Sequence, residues 1–92
     1  MTLHEKMRRY ISHTAFLPMS QFKDDDSIAR LRPKSQFSYI GKIAMLVDAT
    51  YDDNTPDFPE EDMHQLDSVN EFVAYLIARG ITDVNDPPEG IK

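Results

Sequence analysis

The sequence predicts an all-α fold: a small bundle of three main helices and one short one, with a long first connection. Three observations carry that expectation. Apolar residues recur at helical spacing in three separate stretches, and no stretch reads as a convincing strand. Each stretch opens on a capping residue and closes on a turn signal. At 92 residues with 40% apolar content, the chain can bury one modest core and is too short to divide into two domains.

Thr2 opens the first helix, with Glu5 three positions later completing a capping-box pattern. Leu3, Met7, Tyr10, Ile11 and Thr14 then fall on one face, and Pro18 limits the continuation. The stretch "PMSQFKDDDSIARLRP" is long for a loop in so small a domain. A short helical turn is therefore expected near residues 26–31, capped by Asp26 or Ser27, with Phe22, Ile28 and Leu31 pinned to the core.

The second main helix follows Pro33, and either Ser35 or Ser38 suits its cap. Ile40, Ile43, Ala44, Val47 and Tyr51 form its expected inward stripe, with Tyr39 and Leu46 on the flank. The helix ends in the turn formers of "YDDNTPDFP". Pro59 suits the first position of a short helix with Glu60, Glu61 and Asp62 at its positive end, and Met63 and Leu66 facing inward. Asp67 or Ser68 caps the last helix, and Ser68 with Glu71 makes a second capping box. Val69, Phe72, Val73, Leu76 and Ile77 give its stripe, and Gly80 stops it in the left-handed conformation. "TDVNDPPEGIK" reads as a disordered tail, so the bundle is placed at 1–80 and the tail at 81–92.

Composition narrows function. Without cysteine there is no disulfide framework, thiolate metal site or cysteine nucleophile. Residues 1–34 carry seven Lys/Arg against four Asp/Glu, whereas residues 35–92 carry three against twelve. The resulting net charge of −6 speaks against nucleic-acid binding, despite the basic "KMRRY". The opening "MTLHEKMRRY" has no apolar leader core and no run reaches membrane-spanning length, so a cytoplasmic protein without a membrane span is expected. His4, His13 and His64 share no metal-ligand spacing. Asp52, Asp53, Asn54 and Asp57 lack the central glycine and closing glutamate of a calcium loop. No Ser-His-Asp triad can be argued, so an independent enzyme is not expected.

The order of elements resembles the acyl carrier protein family, in which a long loop leads from helix I to an Asp-Ser-Leu motif at the start of helix II. The resemblance covers roughly residues 3–79. In "DDDSIARLRPKS", Leu31 stands four residues before Ser35, as an apolar loop residue precedes the modified serine of the family. "FPEEDMHQLDSVNEFVAYL" is similar to the family's closing segment in its proline, acidic run and apolar stripe. The motif itself departs: Lys34 replaces the aspartate, Gln36 the leucine, and Arg32 the glycine that commonly follows the loop leucine.

The resemblance implies a four-helix bundle of acyl-carrier type with 4′-phosphopantetheine attached covalently at Ser35, Ser38 being the reserve position. Such a protein holds acyl intermediates as thioesters in fatty-acid, polyketide or related lipid biosynthesis. Its partners would be a phosphopantetheinyl transferase and acyl-transferring or condensing enzymes, met as a monomer. Ile40, Ala44 and Met63 are the candidate liners of the acyl space, and Lys34, Lys42 and Asp48 the candidate partner surface. A helix N-terminus suits a phosphodiester, because free N–H groups and the positive dipole end face the anion. Without an arm, Ser35 would be a helix cap worth about 1 kcal/mol, and the bundle an arm-free module for protein–protein interaction.

Overall fold

Thr2 opens α1 (Leu3–Ala15) as its sequence predicts, its Oγ1 accepting the Glu5 N–H at 3.1 Å. The computed structural model describes residues 1–32, 37–50 and 58–92; Lys34, Ser35, Gln36, Tyr51 and the polar turn with Asp52, Asp53, Asn54 and Asp57 lie outside them. A 3-10 turn (Met19–Gln21) leads to α2 (Ile28–Leu31), then α3 (Tyr39–Thr50), α4 (Glu60–Met63) and α5 (Val69–Ala78). The fold is a small all-helical bundle, with no strand among the described residues.

The core forms where α1 packs on α5 and α3. Met7, Ile11, Leu46, Met63, Phe72 and Leu76 are fully buried, and the Phe37 ring meets Phe72 at 5.8 Å between centroids. Ser68 and Glu71 make both halves of their capping box. At the far end of α5, Gly80 lies at φ 82°, the Gly80 N–H donates to Ile77 O at 2.9 Å, and the Ile81 N–H donates to Leu76 O at 2.9 Å. This paired closure needs a left-handed residue, which glycine supplies without a Cβ penalty.

Helix α3 differs from its expected orientation. Met45, Leu46 and Ala49 are buried, whereas Ala44 is exposed and Ile40 is 64% exposed. Ile43 and Val47 are half-buried between the two faces. The physical reason is that α3 is apolar around most of its circumference, so periodicity alone does not select the face that packs.

Residues 81–92, read from sequence as a disordered tail, run along α1 as an extended strap. Lys6 lays its stem in the core, and its ammonium donates to Asp83 Oδ1 at 2.9 Å and Val84 O at 3.1 Å. Tyr10 OH donates to Asn85 O at 2.8 Å. Asn85 in turn caps the end of α3: its backbone N–H donates to Ala49 O at 2.8 Å and its side chain to Asp48 O at 3.1 Å. Further on, the Ile91 N–H donates to the fully buried Ser12 Oγ at 2.9 Å, and Gly90 lies so close to Met19 that any Cβ there would overlap its side chain. Composition misleads here because a polar, proline-rich segment is tied by backbone bonds, and α1 supplies the partners.

Asp83 is held below its ordinary value of 3.8, first by the Lys6 hydrogen bond and then by the Val84 N–H. Lys6 is raised above 10.5, chiefly by the same bond to Asp83, with burial opposing. A lowered carboxylate stabilises fully above its unfolded value and loses that contribution as pH falls through the folded one. A raised ammonium does the reverse, losing its contribution above 10.5. Hydrogen exchange should therefore show the Asn85 amide losing protection on acidification below pH 3.8, before the amides of α1 and α5. In Asp83→Asn that acid step should vanish; an Asn85 amide whose protection ignores Asp83 would contradict the clamp.

Tyr75 joins α5 to α4 by donating to Asp62 Oδ2 at 2.7 Å. Burial, followed by that hydrogen bond, pushes its phenol up to about 12. Because the neutral form is favoured in the fold, the contribution is complete below pH 10 and lost as pH rises through about 12. Spectrophotometric titration should show a tyrosine step near 12 that Tyr75→Phe removes.

Candidate functional site

Helix α3 begins one residue after Ser38, which is its cap. The Ser38 Oγ accepts the Gly41 N–H at 3.3 Å and its carbonyl accepts the Lys42 N–H at 2.9 Å. Of the two serines that the sequence leaves open for this role, Ser38 fills it; Ser35 and Lys34 lie outside the described residues. Beside the cap opens a cleft of about 300 Å³, at the small end of the range typical of ligand pockets. Phe37, Ser38, Tyr39 and Lys42 contribute one side of it; Ala29, Arg32, His64 and Asp67 contribute the other.

Each wall is set by a local need for hydrogen bonds. The Asp67 side chain accepts the Ala29 N–H at 2.8 Å and the Ser27 hydroxyl, while its carbonyl accepts the Ile28 N–H at 3.3 Å. Asp67 thus caps α2 from across the chain. Asp26, a sequence candidate for that cap, instead accepts the Lys23 N–H at 2.7 Å, and Ser27 precedes α2 without a side-chain cap bond. Lys42 points under α4, where its ammonium donates to Met63 O at 3.0 Å and Leu66 O at 2.6 Å and stands 5.2 Å above the Phe37 ring. Arg32 crosses to the end of α1, its Nε donating to Phe16 O at 3.2 Å. The Tyr39 and His64 rings meet at 5.6 Å between centroids.

These placements revise several sequence-based assignments. Lys42 braces α4 from within instead of standing free on a partner surface, whereas Asp48 is exposed. Ile40 and Ala44 look outward and Met63 is fully buried, so the three candidate acyl liners do not line one space. Sequence reasoning missed the cleft residues Ala29, Arg32, Phe37 and Asp67, and it considered His64 only as a metal ligand, which the spacing of the histidines does not support. No local signal marks them, because the cleft arises where residues 29–32 and 64–67 meet the start of α3.

The cleft offers one guanidinium and one ammonium group, a helix N-terminus, aromatic walls, the His64 ring and one serine oxygen, and its Asp67 carboxylate accepts from the Ser27 hydroxyl and the Ala29 N–H. That donor set suits a small anionic group with an apolar extension. Among the described residues, no group of His, Cys, Asp and Glu is placed to hold a metal ion, and no helix is long and apolar enough to cross a membrane.

Lys42→Met keeps the apolar stem and removes the ammonium, leaving the Met63 and Leu66 carbonyls without that donor. Urea unfolding should show a loss of about 1–3 kcal/mol, against about 0.5 kcal/mol or less for Lys23→Met on the exposed first connection. Equal effects would refute the bracing role. Comparison of the chain with family models, curated proteins and solved structures finds no match.

Proposed function

We propose that this chain is a stand-alone acyl carrier-like protein, holding acyl intermediates as thioesters on a 4′-phosphopantetheine arm at Ser35, with Ser38 as the reserve attachment point. The observation that supports the reading is the cleft beside Ser38 at the start of α3, with Arg32 and Lys42 in its lining. The element order supports it as well: a long helix, a long connection, a middle helix, a short acidic helix and a closing amphipathic one.

The residues present fit such a group. First-turn amides of α3 face outward along the helix axis, as at any helix start. Arg32 and Lys42 add positive charge beside Ser38, while Phe37 and Tyr39 provide apolar walls. The arm, when attached, supplies the thiol that the cysteine-free chain lacks. The protein's own part is then to orient and shield the cargo without a catalytic site. Its partners would be a phosphopantetheinyl transferase and acyl-transferring or condensing enzymes of fatty-acid, polyketide or related lipid biosynthesis, in the cytoplasm.

A second reading, an arm-free bundle of the same type acting in protein–protein interaction, is favoured by one observation. Ser38 caps α3, three positions after Ser35, so the helix start no longer coincides with the carrier serine. Intact mass after incubation with coenzyme A and a broad-specificity phosphopantetheinyl transferase separates the two. The carrier reading expects the mass of one arm to be gained, kept in Ser38→Ala and lost in Ser35→Ala; the opposite pattern moves the site to Ser38. A folded protein that gains no mass is the arm-free module.

A further inference from the structure

We propose that Met19 is a redox-sensitive latch: oxidation of its thioether to the sulfoxide by hydrogen peroxide releases residues 87–92 of the strap from α1. The latch stands apart from the cleft and does not depend on the carrier reading.

The chain contains five methionines and no cysteine, so thioethers are its only oxidisable sulfur. Burial sorts them. Met7 and Met63 are fully buried and Met45 is 3% exposed, whereas Met1, before α1, is open to solvent. Met19 is half-buried in the 3-10 turn after α1 and lines a cavity of about 110 Å³ with Glu5, Arg8 and Arg9. A water needs roughly 15 Å³ of such space, so hydrogen peroxide, little larger than water, has room beside the sulfur.

The other side of Met19 carries the strap. A Cβ at Gly90 would overlap Met19 Sδ and stand 2.9 Å from its Cγ, so the thioether lies directly against the glycine backbone. Backbone bonds flank that contact: the Met19 N–H donates to Ile91 O at 2.9 Å, and the Ile91 N–H donates to the buried Ser12 Oγ at 2.9 Å. The turn itself is held separately by the Arg8 guanidinium, which donates to Met19 O at 2.9 Å and Phe22 O at 3.1 Å. An accessible sulfur thus sits inside the set of contacts that holds this end of the strap.

The chemistry is one oxygen transfer. A sulfur lone pair takes one oxygen of the peroxide, the O–O bond breaks, and the other oxygen leaves as water with both protons. Sulfur is oxidised by two electrons and the peroxide is reduced by two. The product exchanges an apolar sulfur for a wider, polar sulfoxide. Against Gly90 there is no room even for a methyl carbon. The new oxygen also demands hydrogen bonds, which water and the cations of the cavity supply and the glycine contact does not. The side chain turns toward the cavity, and the Gly90 contact is lost with the two backbone bonds beside it. Asp83, Val84 and Asn85 keep their own partners, so the strap opens only beyond them.

Residue-resolved hydrogen exchange on the intact chain, before and after hydrogen peroxide and with the oxidised methionines mapped, tests the latch. Met19 should oxidise ahead of Met7, Met45 and Met63. The Ile91 amide should then exchange about tenfold faster, while the amides of α5 keep their rates. Met19→Leu should hold its Ile91 rate under the same treatment, which removes Met1 as the cause. Gly90→Ala should open the same end with no oxidant present. Enzymatic reduction of the sulfoxide should restore the original rate; a rate that stays fast is damage and overturns the latch. The proposal also falls if Met19 oxidises without a change at Ile91, if a buried methionine oxidises first, or if peroxide acts equally on Met19→Leu. A Gly90→Ala chain as protected at Ile91 as the wild type overturns the packing on which the latch rests.

Discussion

A helix of four residues cannot sustain itself in water, because nucleation fixes several residues for very few hydrogen bonds. Among the described residues, two of the five α-helices are that short. Each is held by a side chain from a distant part of the sequence: Asp67 caps the start of α2, and Lys42 gathers the carbonyls at the end of α4. These two contacts fix the positions of α2 and α4 against α3 and α5. They also create the cleft, since both residues line it. The same charges that make the cleft look like a binding site thus have structural employment, and any ligand there would meet cations already oriented by carbonyls.

The strap solves a related problem at the opposite end of α3. The last carbonyls of a helix have no partners within it, and Asn85 supplies them for Asp48 and Ala49. Lys6 and Tyr10 then hold the strap to α1. A lysine in the first turns of an amphipathic helix usually marks its wet side, but Lys6 is buried along its stem and meets its carboxylate only across the bundle. Val84, 8% exposed, completes the core that the helices leave open.

Helix α3 is where fold and function pull apart. The carrier reading expects an apolar middle helix buried around a cargo, yet α3 turns Ile40 and Ala44 outward and fills the interior with Met45, Leu46 and Ala49. The polar cleft at the start of α3 and the apolar face along it are separate surfaces. They share the helix but not the side chains, so changes on one leave the other chemically intact.

Features that depend on neighbours in sequence were legible from the chain alone. The Thr2 cap, the Ser68–Glu71 capping box, the left-handed Gly80 and the inward stripe of Val69, Phe72, Val73 and Leu76 each follow from residues within a few positions of one another, although Ile77, the last residue of the expected stripe, is 52% exposed. So did the all-helical class and the presence of a short turn before residue 32. Features made by residues far apart were not. The choice of packing face on α3, the capping of α2 by Asp67, the inward turn of Lys42, the cleft beside Ser38 and the docking of residues 81–92 all join segments separated by 20 or more positions. Periodicity and capping codes describe what a segment can do by itself. Which of several equally apolar faces is buried, and which polar group meets a given orphan carbonyl, is decided only when the segments pack.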